Sequence, residues 1–450
     1  MESTTNKNVH IVSLGCARNL VDSEVMAGLL NKDGYTLTGE ASEADLIIVN
    51  TCGFIKEAKQ ESIDTILEVA QFKQKGKCQK LVISGCLAER YPGELKESLP
   101  EVDLVMGTAG FSKIIDEVEK LKITGSGPSQ AIQVHTERLK DYDLPRVNSQ
   151  PFYTAYLKLA EGCAKKCSFC IIPKLRGPLR SRSIEMLVKE TEDLVKTGVR
   201  ELNLIAQDLT DYGRDRKDGA NLAELLRRLV KIEDLKWIRL FYAYPDQLSD
   251  EVIDLIKNEE KICKYLDVPV QHINDKVLRG MNRQSTGAQI RNMITRLKTE
   301  IPDIVLRTSL MVGFPGESEE HFQELLDFVS EGNLDQVGVF TYSHEEGTPS
   351  FRLGDPISEK VKEKRQKKIF EAQSKVQTKL LQKWLGKEVD VLIEGTHPET
   401  DLLLKSRHFG QAPGIDNLTL INKGHGKVGQ FAKARVTEIA GLDLIAEILN

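Results

Sequence analysis

The chain has only two tryptophans and 6% aromatic residues, and no apolar run long enough to span a bilayer, which takes roughly eighteen residues. A membrane-spanning helix is therefore excluded. The opening MESTTNKNVH lacks the charged-then-apolar order of a signal peptide, so the sequence predicts a cytoplasmic protein. An excess of one charge is also missing. Lys and Arg number 62 against 67 Asp and Glu, the net charge is -5, and the basic residues are spread along the chain. That balance excludes a bulk nucleic-acid binder while leaving room for a local basic patch. Eight cysteines in 450 residues are too few for a disulfide framework, and 40% hydrophobic residues make one unnecessary. The thiols are expected to be reduced and available to metal.

What is present is a long alternation of strand-like and helix-like stretches, enough for two or three domains. Over residues 8–122 the runs VHIVSLGC, ADLIIVNTC and KLVISGC are separated by helical segments, which predicts a parallel α/β domain. Residues 123–150 are rich in Gly, Pro, Ser and charge around one short β-like piece, AIQV, and read as a connection. Residues 151–377 resume the alternation with six strand candidates from YTAYLKLA to QVGVFTYS, the pattern of a partial TIM-like (β/α) barrel, with a doubly wound sheet as the competing topology. The basic stretch ISEKVKEKRQKKIFEAQSKVQTKLLQKWLGK predicts one long helix with a solvated charged face. Five short strands split by turn residues fill residues 378–450 and predict a small five-stranded β-barrel, of the kind that often contacts oligonucleotides.

The chemistry-bearing stretch is AEGCAKKCSFCIIP, which sets Cys163, Cys167 and Cys170 at the spacing C-x3-C-x2-C just after the first barrel strand. Active sites of such barrels lie at the C-terminal ends of the strands. Three thiolates at this spacing suit one corner of a cubane cluster whose fourth iron stays open to an outside ligand. An open metal position marks a catalytic site rather than a structural one. The competing reading is a zinc knuckle completed by a distant residue, with Cys263 as the obvious candidate, although EEKICKYLD does not resemble a ligand loop.

A second set stands in the first domain. Cys16, Cys52 and Cys86 each end one of the first three strand candidates, about one βα unit apart. Equivalent strand ends of an open parallel sheet converge on one crevice, so three distant cysteines can meet there. A second cluster is one reading, and three small buried core residues the other. Cys78 and Cys263 fall outside both patterns and read as ordinary residues.

The three-cysteine spacing with Phe169 before the last cysteine resembles the radical S-adenosylmethionine superfamily. With the second set and the terminal β-barrel in this order, nearly the whole chain resembles the methylthiotransferases, which join an N-terminal cluster domain, a radical barrel and a TRAM domain. Within that family, SLGCARNLVDSE, AEGCAKKCSFCIIPKLRGPLRSR, AQDLTDYG, YLDVPVQH, LRTSLMVGFPGESEEHF and APGID are similar to the branch acting on small-subunit ribosomal protein twelve. The transfer-RNA branch usually shows QN where this chain has Gln207 and Asp208. Gln411 departs from the arginine common in the family, which puts the docking role of its loop in question.

The resemblance implies two [4Fe-4S] clusters, on Cys16, Cys52 and Cys86 and on Cys163, Cys167 and Cys170. It also implies S-adenosylmethionine as methyl donor and as radical source, its methionine amino and carboxylate groups chelating the open iron of the second cluster. The implied reaction is methylthiolation of an aspartate β-carbon, with both open irons facing one cavity. Implied partners are the ribosomal protein, free or in the ribosome, an electron donor such as flavodoxin, and RNA through the TRAM domain, with no membrane.

Among supporting residues, Gln207 and Asp208 stand at a strand end, where they can bind the methionine amino group or the ribose; helix capping is the plainer role for Asp208. Arg307 is a partner for the cofactor carboxylate or one half of a structural ion pair. Gly313, in LMVGFPGE, permits close approach of backbone to a ligand. Lys174, Arg176, Arg180 and Arg182 gather after the cysteine loop, to steer an anion or simply to be solvated. The rival functions are methylthiolation of a transfer-RNA adenosine and a non-catalytic iron–sulfur carrier or sensor. RNA readers that stack bases need exposed aromatics, and the strand run from EVDVLIEG to the end offers only Phe409 and Phe431, which favours a protein substrate.

Overall fold

The computed structural model describes residues 7–123, 131–133, 141–245 and 247–449. The first sheet has six strands, in the order Tyr35–Leu37, Lys7–Ser13, Leu46–Thr51, Lys80–Gly85, Leu104–Met106 and Ala131–Gln133, all parallel. Strands such as LIIVNT are buried at every position because helices cover both faces, which is why they read as continuous apolar runs. The order reverses between Lys7–Ser13 and Leu46–Thr51. This is a topological switch point, where a crevice opens beyond the strand ends. The last strand, Ala131–Gln133, is the AIQV piece that the sequence placed in the connection. It pairs with Leu104–Met106 and so extends the first sheet. Residues 124–130 and 134–140 of the expected connection lie outside the described residues.

The second sheet is a partial barrel. Its strands Thr154–Lys158, Glu201–Ile205, Trp237–Leu240, Ile262–Asp267, Val305–Val312 and Gln336–Thr341 are parallel and stand side by side in chain order. A doubly wound sheet would reverse that order, so the competing topology is excluded. Helix Leu222–Leu229 shows why the alternation is legible. Asn221 caps it through the Glu224 amide, and its leucines form one buried stripe against the sheet.

Helix Glu359–Leu381 packs along Glu319–Ser330 and the edge strand Gln336–Thr341. Its basic face is only partly solvated, contrary to the expectation from composition. Lys362 is buried and donates to Tyr342 O at 2.9 Å and Asp355 at 2.7 Å, while buried Arg365 pairs with Glu317 at 2.9 Å.

The chain ends in a closed barrel of five strands: Glu388–His397, Thr400–His408, Thr419–Lys423, Phe431–Ala440 and Asp443–Ile448. It docks against the strand starts of the second sheet, the end opposite the cysteine loop. There Arg407 grips Glu201, the first residue of its strand, at 2.7 and 3.0 Å, and Arg239 reaches the same carboxylate at 3.2 Å. Gln411 is buried inside this barrel and accepts from His408 N at 3.0 Å and Thr419 Oγ1 at 2.8 Å. Its amide braces the fold rather than forming a docking surface. Among the described residues, no helix is long and apolar enough to cross a membrane.

Candidate active site

The three N-terminal cysteines sit in the crevice at the switch point. Cys16 is the N-cap of helix Ala17–Lys32, Cys52 follows strand Leu46–Thr51, and Cys86 opens a short helix directly after Lys80–Gly85. The loops carrying them are pressed together. A Cβ on Gly15, whose φ is +84°, would lie 2.7 Å from the Cys52 Cβ, and one on Gly53 would lie 2.8 Å from the Leu87 backbone beside Cys86. Buried Asn19 ties the strand ends, donating to Leu14 O at 2.8 Å, Asn50 O at 3.1 Å and Thr51 O at 3.2 Å. Burial by itself raises all three thiols, and Cys86 is pushed up to about 11. Cys16 moves the other way, because Arg18 and Arg176 outweigh its burial and bring it down to about 7.

Cys163, Cys167 and Cys170 lie on the loop after strand Thr154–Lys158, at the C-terminal end of the partial barrel. Burial raises Cys163 to about 11 and Cys170 to about 12. All three line a cavity of about 390 Å³ within the barrel mouth. The opposite wall comes from the N-terminal domain, through Arg18, Phe54 and Ile55. Cys16, Cys52 and Cys86 stand behind that wall and do not line the cavity themselves. Contact between the two cysteine regions is direct, since Cys86 packs with Phe54, Ile171 and Leu175.

Among the described residues, no three Cys, His, Asp or Glu side chains form a group able to hold a single metal ion. Cys263 is remote from both cysteine sets. It is buried on strand Ile262–Asp267 beside Arg239, Glu201 and Arg407, at the far end of the barrel. Cys78 sits against Lys80 O at 3.3 Å, away from either set.

The other sequence-predicted residues divide. Phe169, Gln207 and Asp208 line the cavity. The Oε1 of Gln207 is buried without a hydrogen-bond partner among the described residues. Asp208 plays its plainer part as well, since Oδ1 accepts from Thr210 N at 2.9 Å to cap the following turn while Oδ2 faces Lys165 at 3.3 Å.

Arg307 lies below the cavity. It stands one layer below Ser309 and two below Met311 on the same strand face, between Asp267 and Asp416, each at 3.5 Å, and does not line the cavity, which supports the ion pair over contact with a cofactor. Gly313 has φ +80°, but the space a Cβ would need is taken by the Lys362 side chain at 2.4 Å. Packing of the long helix, and not a ligand, demands glycine there. Arg176 and Arg182 correct the expectation of solvation. Arg176 is 1% exposed and holds Glu161 at 2.9 Å, Asp22 at 3.1 Å and Asn19 at 3.1 Å, and Arg182 pairs with Glu190 at 2.6 Å.

Several cavity residues escaped the sequence reading. Arg18 donates to Ala206 O at 2.7 Å and lies 4.8 Å over the Tyr242 ring. Tyr242 has φ +60°, a strained value for a residue with a bulky side chain, and its amide donates to Asp267 at 3.3 Å. Arg283 covers the Tyr244 ring at 3.9 Å with Cys167 Sγ 3.7 Å away. The only signal for Arg18 in the sequence is its position two residues after Cys16, in GCAR.

Comparison with known proteins gives three family models along the chain. One described as an uncharacterized protein family, UPF0004, matches residues 8–107; the Radical SAM superfamily matches 157–329; the TRAM domain matches 385–449. A ribosomal protein uS12 methylthiotransferase RimO from Geobacter sulfurreducens is 51% identical over 449 residues, covering 100% of both chains. Proteins of the same name from Geotalea uraniireducens and Myxococcus xanthus are 50% and 46% identical, each covering 100% of this chain and 100% and 93% of their own. Among solved structures, the radical S-adenosylmethionine methyltransferase TsrM from Kitasatospora setae, bound to tryptophan and a SAM analogue, has a TM-score of 0.57. At 17% identity, covering 74% of this chain and 73% of that one, it shows a likeness of fold alone.

Proposed function

The chain belongs to the family of ribosomal protein uS12 methylthiotransferases, radical SAM enzymes, and from that premise we propose that it places a methylthio group on the β-carbon of an aspartate of uS12. The observation that carries this reading is the shared cavity, walled on one side by Cys163, Cys167 and Cys170 and on the other by Arg18, Phe54 and Ile55, directly in front of the second cysteine set. In this proposal Cys163, Cys167 and Cys170 hold one [4Fe-4S] cluster and Cys16, Cys52 and Cys86 a second. Together with S-adenosylmethionine these groups supply the hydrogen-abstracting radical and the methylated sulfur.

The protein's own residues then bind and exclude. Phe169, Phe54 and Ile55 keep the cavity apolar, and Gln207 and Asp208 offer hydrogen bonds to the cofactor. Lys165, anchored by Asp208 and Asp211 at 3.3 Å each, keeps these buried carboxylates paired. The working division is a cluster domain over 8–122 whose sheet takes its sixth strand from Ala131–Gln133, a radical barrel over 151–377 and a TRAM domain over 378–450, in a cytoplasmic enzyme served by a low-potential one-electron donor of the flavodoxin kind.

A protein substrate is supported by the two aromatics of the terminal strands and loops, Phe409 and Phe431. Phe431 packs edge-on to Trp237 at 4.7 Å and Phe409 against Trp384 at 5.6 Å, so both serve packing rather than base stacking. RNA contact through the TRAM domain is then to phosphates.

The test is anaerobic. The protein is reconstituted with iron and sulfide, given S-adenosylmethionine and a strong reductant, and offered a uS12 peptide and transfer RNA together. A methylthio mass gain on the peptide's aspartate is expected. Gain on RNA alone would move the enzyme to the transfer-RNA branch, and absence of any S-adenosylmethionine cleavage would leave an iron–sulfur carrier.

A further inference from the structure

Among the described residues the cavity wall carries three cations, and they are not equally satisfied. Lys165 faces Asp208 and Asp211. Arg283 donates to Pro269 O at 2.5 Å and lies on the Tyr244 ring. The other acid among the described wall residues, Glu345, is taken by Lys59 at 2.7 Å and Arg90 at 2.8 Å. Arg18 differs. Its Nη1 bonds to Ala206 O, its plane rests on Tyr242, it stands against the Cys16 thiol, its Nε is buried without a hydrogen-bond partner, and among the described residues no carboxylate pairs with it. In the reading above the Cys16 sulfur belongs to a cluster, so the buried guanidinium keeps a donor free, and its fork matches a carboxylate.

Two carboxylates are due in this cavity. One is that of S-adenosylmethionine, which in the reading above is engaged by iron on the side of the Cys163 loop. The other is the side chain of the target aspartate. Arg18 projects from the opposite wall, two residues after Cys16, between the two cysteine sets. We infer that Arg18 binds the side-chain carboxylate of the substrate aspartate and so holds its β-carbon between the two sets. The inference rests on the proposed function and adds to it a specificity-determining residue, one that distinguishes aspartate from its amide.

The test uses the full-length reconstituted protein with S-adenosylmethionine bound and no reductant. Binding is measured for two uS12 peptides that differ only in Asp or Asn at the target position, alongside the affinity for S-adenosylmethionine. Wild type is expected to prefer the Asp peptide by roughly tenfold or more, the scale of a hydrogen-bonded charge. Arg18→Gln is expected to bind both peptides alike.

A preference that persists in an iron-loaded Arg18→Gln variant overturns the inference. So does loss of S-adenosylmethionine affinity with the Asp preference intact, which would assign the guanidinium to the cofactor's carboxylate. Should Arg18→Gln take up less iron than wild type, Arg18→Lys decides, because an ammonium in place of the fork is expected to lower the preference several-fold and an unchanged preference overturns the role. Wild type that methylthiolates the Asp peptide yet binds both peptides equally removes only Arg18's part. Wild type that binds neither peptide and modifies RNA instead removes the function and this inference with it.

Discussion

At the scale of residues, the six cysteines differ in what surrounds them. Cys163, Cys167 and Cys170 open onto the cavity, while Cys16, Cys52 and Cys86 stand behind Arg18, Phe54 and Ile55 with the Arg176 charge beside them. This difference predicts separable losses. Alanine at Cys163, Cys167 or Cys170 is expected to abolish formation of 5′-deoxyadenosine, whereas alanine at Cys16, Cys52 or Cys86 should spare part of it and stop methylthio transfer. Chromatography of the nucleoside and mass spectrometry of the peptide read the two outcomes. Equal loss of both products in all six variants would remove the division of labour.

Between residue and fold lies the element, and here the deciding feature is how three strand-end loops meet. The parallel order puts Cys16, Cys52 and Cys86 at one edge of the sheet, but only close backbone contact brings their loops together. Gly15, at φ +84° and with no room beside Cys52, is the tightest point of that contact. Gly15→Ala is expected to disturb the N-terminal set while leaving the barrel loop alone, so iron per reconstituted chain should fall from about eight to about four. Iron analysis with Mössbauer spectroscopy checks this, and full loading of the variant would show that the loop tolerates a side chain.

Helix Ala17–Lys32 illustrates what element-level reading could not reach. Its sequence places Asn19, Asp22 and Glu24 among apolar residues, yet all three are buried, because the helix lies between the first sheet and the barrel. Asp22 pairs with Lys158 and Arg176, and Glu24 with Arg146. Periodicity reports one apolar face against one core; it is silent about a helix with cores on two sides.

For the whole molecule, the terminal barrel is held on by a buried ion cluster at the strand starts. Arg407 and Arg239 overcome the burial of Glu201 and hold its carboxyl down at about 2. A depressed carboxyl contributes stability that is present above its ordinary pKa of 4.5 and lost as pH falls toward about 2. Arg407→Ala leaves Glu201 short of its main partner in a dry site and is expected to destabilise the docked barrel by about 3–5 kcal/mol. Denaturant titration with limited proteolysis at the junction measures this. In Glu201→Gln the acid limb of the stability curve between pH 4.5 and about 2 should flatten. Unchanged acid sensitivity would place the titrating group elsewhere.

The sequence by itself determined the order of architectures, a parallel α/β domain, a second run of βα units and a five-stranded barrel, because each has its own apolar period and strand-to-helix alternation; that the second is a partial barrel and not a doubly wound sheet was decided by the strand order of the folded chain. It also located the two cysteine triplets, since spacing and position at strand ends are local properties of the chain. Tertiary structure alone decided the rest. Arg307 is an ion-pair partner deep in the barrel, Gly313 makes room for Lys362, Arg176 is a buried tie, and Arg18 stands at the cavity wall with no carboxylate partner among the described residues. Each of these roles depends on a partner far along the chain, and such a pairing leaves no trace in local pattern. A charged residue reads the same in sequence whether water, an acid or a substrate completes it.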